Sequence, residues 1–179
     1  MARTLRASHS EIEMFRPWSE GVWSRWAPIP LRLILGYGFM AHGWAKWSRG
    51  PQQFGRLLQY VGVPLPGATA WLVTLLELFG GLAILAGAFV VLVSVPLVIS
   101  MVVAMLTVQL QYGFSSVNTI GLTAAGPVFG PPGYEINLFY IAGLLVLVLG
   151  GPGPLSVDRW LARRTRALRR PTGPPHAAG

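Results

Sequence analysis

Glu77 is the residue whose placement most demands a chemical explanation. It stands near the middle of an apolar run, Gly67–Gly87. A carboxylate at the centre of a membrane-spanning helix costs about 2.5–3.5 kcal/mol on insertion scales, so it must be protonated, paired or turned to water. The preceding apolar run, Pro28–Trp47, offers partners. On a helical wheel its Arg32, Gly36, Phe39, Gly43 and Lys46 share a face about 80° wide, with His42 at the edge. With the two runs antiparallel, Glu77 falls level with Phe39. His42 then lies about 5 Å to one side of that level and Arg32 about 10 Å to the other, both within side-chain reach. The glycines allow close approach, and Ala70, Val73, Gly81 and Ile84 complete the facing surface. Two readings follow: Glu77, His42 and Arg32 form an acid–base cluster that binds a polar headgroup or passes protons, or Glu77 simply ties two helices together.

The other polar residues in apolar surroundings carry less chemistry. Gln109 suits an interhelical hydrogen bond better than a ligand contact, and Met101 and Met105, one turn apart, suit packing. His42 is the one histidine in the apolar runs, which excludes a haem held by two histidines of a single chain. The chain has no cysteine. Disulfides, iron–sulfur ligation and thiolate metal sites are therefore excluded, and no metal site is expected. Glu135 opens the last apolar run, where a carboxylate favours the positive end of a helix. Asp158 is expected to brace the far end of that same run.

These residues need helices to hold them. The chain has 179 residues, enough for one domain, of which 53% are hydrophobic and only 11% charged. Soluble domains carry about 25% charged residues, so this chain buries its apolar surface in lipid. Four runs, Pro28–Trp47, Gly67–Gly87, Ala88–Tyr112 and Tyr134–Leu149, approach or reach the roughly 20 residues a spanning helix needs. The predicted fold is an all-α membrane protein: a four-transmembrane-helix bundle with a short interfacial amphipathic segment between helices one and two. Phe54, Leu57, Leu58 and Val61 form the apolar stripe of that segment. Pro96 predicts a kink in the third helix, Gly87 a tight hairpin, and 113–133 a polar loop or lid. Residues 1–27 read as a cytoplasmic N-terminal segment with the first helix retained rather than cleaved, 28–160 as the membrane domain, and 161–179 as a basic, partly disordered tail.

The net charge of +8 does not point to nucleic acid, because six arginines form one run directly after the last apolar segment, as an anchor would. Eleven of the fourteen basic residues fall at the two terminal ends and three, Lys46, Arg49 and Arg56, at the other side. That count places both termini in the cytoplasm. Thirteen arginines against one lysine suit a GC-rich bacterial genome, hence a multi-pass protein of the inner cell membrane.

In order and in the right helices, the motifs resemble the DoxX family of small four-helix membrane proteins. They are Arg32, Gly36, Phe39, His42, Gly43 and Lys46 in the first run, and Glu77, Gly80, Gly81, Leu82 and Gly87 in the second. Gly133-Tyr134-Glu135 precedes the fourth run, and Gly151-Pro152-Gly153-Pro154-Leu155-Ser156-Val157-Asp158 ends it. The resemblance covers about Leu31 to Trp160. It departs at Gln109, where family members often have a histidine. It implies association with redox complexes, since the family takes its name from a subunit of a thiosulfate:quinone oxidoreductase, and relatives are linked with oxidative-stress and sulfur metabolism. The expectation is a membrane subunit, with no covalently bound cofactor, that handles quinone or supports electron transfer beside other membrane or redox subunits. Glu77, His42 and Arg32 would serve proton and quinone chemistry, and Gln109, Lys46 and Glu135 would contact the bound group. The alternative is a non-catalytic scaffold or assembly subunit. The resemblance assigns no reaction of its own to the chain.

Overall fold

Prolines open the first helices and glycines close them. In the computed structural model, which describes residues 25–168, α1 runs Pro28–Arg49, α2 Pro51–Tyr60 and α3 Pro66–Ala86, each with proline in its first turn. Proline costs no helical bond there, because that N–H has no partner in any helix. Helix α3 ends at Gly87, whose φ is 66°. Ala88 N–H donates to the Ala83 carbonyl at 2.9 Å and Gly87 N–H to Ile84 at 3.0 Å. These are the two bonds of a Schellman turn, which needs a left-handed residue.

Helix α4, Val90–Ala104, contains Pro96 without ending there. The regular winding gives way later, at a π-turn over Met105–Gln109 followed by a 3-10 turn over Leu110–Tyr112. Helix α5 is Glu135–Gly150 and α6 is Val157–Leu168. The described residues thus hold six helices and one hairpin.

The segment expected as a polar loop is an antiparallel hairpin, β1 Thr119–Thr123 and β2 Gly126–Phe129, with a bulge between Thr119 and Gly121. It exposes Ile120, Leu122 and Phe129. Its base is closed by Gly133 N–H donating to Ser115, Tyr134 to Gly113 and Glu135 to Phe114. The boundary expected at residue 160 falls inside α6, which starts at Val157, where the Ser156 hydroxyl accepts from the Arg159 N–H at 3.3 Å. Residues 1–24 and 169–179, with Arg3, Arg6, Arg16, Arg169 and Arg170 and the end of the basic tail, lie outside the described residues.

The long helices close a ring of neighbours: α1 against α3, α3 against α4, α4 against α5, and α5 back against α1. Between them lies a thin core of Leu35, Phe39, Ile84, Val90, Leu97, Leu144 and Leu147. Most other apolar side chains, among them Leu72, Phe79, Leu92 and Leu149, point outward. Two helical stretches, Pro66–Ala86 and Val90–Tyr112, are long and apolar enough to cross a membrane, with mean hydropathies of 1.8 and 2.6. Helix α5 is apolar but shorter, and α1 carries Arg32, Lys46 and Arg49.

Glycines set the α1–α3 contact. A Cβ on Gly36 would come within 2.8 Å of Leu85 N, on Gly81 within 2.6 Å of Met40 N, and on Gly43 within 2.5 Å of Leu78 N. The two backbones touch at three levels, which locks their register.

Candidate functional site

That register decides who meets Glu77. The contacts Gly36–Leu85, Met40–Gly81 and Gly43–Leu78, continued by one residue, set Glu77 opposite Trp44 rather than Phe39. Lys46 is then within a turn of it, whereas Arg32 stands beyond the last turn of α3. Lys46 Nζ accordingly forms an ion pair and hydrogen bond with Glu77 Oε2. Glu77 is 2% exposed and Lys46 23%. The expected contact of Glu77 with Arg32 or His42 is corrected: neither residue bonds to it.

Arg32 has a different task. Its Nε donates to the Ile84 carbonyl at 3.1 Å, Nη2 to Leu85 at 2.6 Å and Nη1 to Pro152 at 2.9 Å. The first two acceptors are among the last four carbonyls of α3, which have no i+4 partner within the helix, and Ile84 O takes the Gly87 N–H as well; a cation is also favoured there by the helix dipole. One guanidinium thereby fastens α1 to the end of α3 and to the Gly-Pro-Gly-Pro turn. Asp158 completes the fastening. Its carboxylate accepts from Phe89 N–H at 2.7 Å and Val90 N–H at 3.0 Å, while its own N–H donates to Gly87 O at 3.0 Å. It therefore caps the start of α4, not the end of the fourth apolar run. Gly87 is required here twice over, since a Cβ would meet Arg32 Cζ at 2.7 Å and Ser156 Cβ at 2.6 Å.

His42 is exposed, with its ring 6.2 Å from that of Tyr140, which in turn stands edge-on to Phe39 at 4.9 Å. His42 and Lys46 line a cleft of about 380 Å³ between α1 and α2, together with Arg49, Gln53, Phe54 and Leu57. Lys46 Nζ lies 4.8 Å from the centre of the Phe54 ring, a cation–π contact. Lys46 thus links the buried carboxylate to the cleft: one side of its ammonium faces Glu77, the other an aromatic wall and open space.

The other two residues expected at this site lie elsewhere. Glu135 Oε2 accepts from the Ser116 N–H at 2.8 Å and hydroxyl at 2.7 Å, which ties down the base of the hairpin. Gln109 sits in the π-turn of α4, its buried Oε1 without a partner among the described residues. π-Turns in helices are often found at functional positions, but Gln109 does not line the cleft. Gln53 and Arg49 do, and were missed in sequence; the signal available was the amphipathic pattern of α2, which brings Gln53 and Phe54 under the end of α1. Among the described residues, no three His, Asp or Glu gather as a metal site.

A family model described as DoxX matches residues 27–110. A curated relative, the uncharacterized membrane protein Rv3486 of Mycobacterium tuberculosis, is 30% identical over 148 residues, covering 78% of this chain and 83% of the relative. No solved structure matches significantly.

Proposed function

The chain belongs to the DoxX family of membrane proteins, and from that premise we propose that it is a four-span subunit whose α1–α2 cleft receives the polar head of a quinone or quinol. The observation that carries this reading is the buried Glu77–Lys46 pair opening onto the cleft. A pair that only tied helices would need no cavity beside it. The cleft volume of about 380 Å³ falls within the usual range for small-molecule sites. The lining suits such a head: Lys46, Gln53 and His42 are hydrogen-bond donors for ring oxygens, and Phe54 and Leu57 offer an apolar wall.

A quinone bound here would supply two-electron, two-proton chemistry, with electrons coming from a partner subunit. The chain's own part is to hold and move protons. Lys46 Nζ is a donor that Glu77 orients, and His42, at the rim of the cleft, can pass a proton between the cleft and the membrane surface. Arg49 adds positive charge at the mouth. Helix lengths of about 33, 32 and 34 Å for α1, α3 and the Val90–Tyr112 stretch reach across a core of about 30 Å, whereas α5, at about 24 Å, falls short by an amount that a bilayer meets by local thinning. An even number of spans leaves both termini on one side, as the arginine count requires.

The scaffold reading also has an observation in its favour: the same ion pair joins α1 to α3. Titrating the detergent-solubilised protein with a short-chain ubiquinone and following protein fluorescence tests the choice. Saturable binding that is lost in Lys46→Met, with the fold intact, supports the cleft. Equal binding by wild type and Lys46→Met would leave the pair a helix tie.

A further inference from the structure

Helix α6 separates two chemistries. Val157, Trp160 and Leu161 lie along one side, and Arg159, Arg163 and Arg166 lie roughly opposite on the wheel. The apolar side is uncovered: Trp160 is 51% and Leu161 37% exposed. The three arginines border an open groove of about 310 Å³ over Ala162. Arg164, which falls near the apolar side, lays its guanidinium over the Trp160 ring at 4.1 Å, so its charge is carried along an aromatic face. The first turn is pinned to the bundle, because Asp158 bonds Phe89, Val90 and Gly87. The helix cannot leave the end of the bundle without breaking those bonds.

We propose that α6 is a lipid-reading element: it lies in the headgroup layer of the leaflet at that end of the bundle and selects anionic phospholipids there. A helix about 10 Å across, sunk by its apolar side to the acyl boundary, carries its opposite side at the level of the phosphates, since the headgroup layer is about 5–7 Å thick. Trp160 and Leu161 then replace water with acyl chain, and Arg159, Arg163 and Arg166 meet phosphate oxygens. The attraction is that of positive charge for an anionic surface, which lysine would supply as well. The partner is the membrane that already holds α3 and α4, so the encounter carries little translational cost.

The test uses full-length protein in neutral detergent, titrated with phosphatidylglycerol or phosphatidylcholine and followed by native mass spectrometry, with melting temperature in parallel. Each arginine near an anionic surface multiplies affinity by about five. Replacing Arg159, Arg163 and Arg166 together by Gln should therefore cut the preference for phosphatidylglycerol by up to about a hundredfold, with melting in phosphatidylcholine unchanged. The matching triple Lys variant should keep most of the preference, and Arg56→Gln at the opposite end all of it. The proposal is overturned if the Gln variant retains the wild-type preference, or if the Lys variant loses it, which would indicate a guanidinium-specific pocket instead. Equal stabilisation of the wild type by inorganic phosphate or by a short RNA duplex would likewise overturn it, by showing a site for soluble anions.

Discussion

The two partners in the Glu77–Lys46 pair are unequally buried, and this makes their substitution unequal too. Removing Lys46 strands a carboxylate that is 2% exposed, whereas removing Glu77 leaves an ammonium that is 23% exposed and can turn into the cleft. Breaking a buried pair from one side costs about 3–5 kcal/mol, and Lys46→Met should approach that figure. Glu77→Leu should cost less, and the double variant should recover most of the loss. A double-mutant cycle by thermal unfolding in detergent checks this; additive losses would mean the two residues do not interact. Glu77→Gln keeps an acceptor for Lys46 but cannot hold a proton. It should fold like the wild type while losing any proton-linked turnover in a partner complex.

At the scale of elements, the structure rests on backbone contacts that tolerate no side chain. Gly81→Ala puts a methyl group 2.6 Å from Met40 N, and a backbone atom cannot swing away, so the helices must separate. A loss of about 1–3 kcal/mol is expected, whereas Gly67→Ala, with nothing within 4 Å, should be nearly neutral. Asp158→Ala removes two acceptors from the start of α4 and should cost about 0.5–2 kcal/mol. Because the same bonds pin α6, this substitution should also expose the chain beyond Gly151 to protease sooner than Gly81→Ala does. Limited proteolysis compared with melting temperature separates the two effects. An Asp158→Ala protein cut at the wild-type rate would show that α6 is held by something else.

For the molecule as a whole, the proposed four-span arrangement makes a simple demand. With α5 as the fourth span, the hairpin and α6 would face opposite sides of the bilayer. The chain has no cysteine, so single thiols report cleanly. Ala125→Cys in the hairpin turn and Ala162→Cys in α6 should react with a membrane-impermeant maleimide from opposite sides of oriented vesicles. Labelling of both from one side would require an even number of spans between them, so that α5 does not cross, and would remove the basis for placing both termini together.

Much was legible in composition and periodicity alone, and for one reason. Helices in lipid must be long and apolar and satisfy their own backbone bonds, so α3 and the stretch Val90–Tyr112 announced themselves within one or two residues of their ends, though not the change of winding at Met105. The amphipathic stripe of α2 was visible for the same kind of reason, and so was Glu77, an acid where none is cheap. Its partner was not legible. Arg32, His42 and Lys46 lie on or beside one face of α1; the axial offset between α1 and α3 removes Arg32, and the rotation of α1 that leaves His42 exposed turns Lys46 to Glu77. That offset is set by the meeting of Gly36, Met40 and Gly43 with Leu85, Gly81 and Leu78, contacts between residues far apart in the chain. The hairpin was hidden because its strands take their pairing from one another and from the start of α5, not from an alternating pattern. Asp158 was legible as a capping residue, but only the tertiary structure could show which helix it caps, because a carboxylate reaches whichever free N–H groups the fold brings to it.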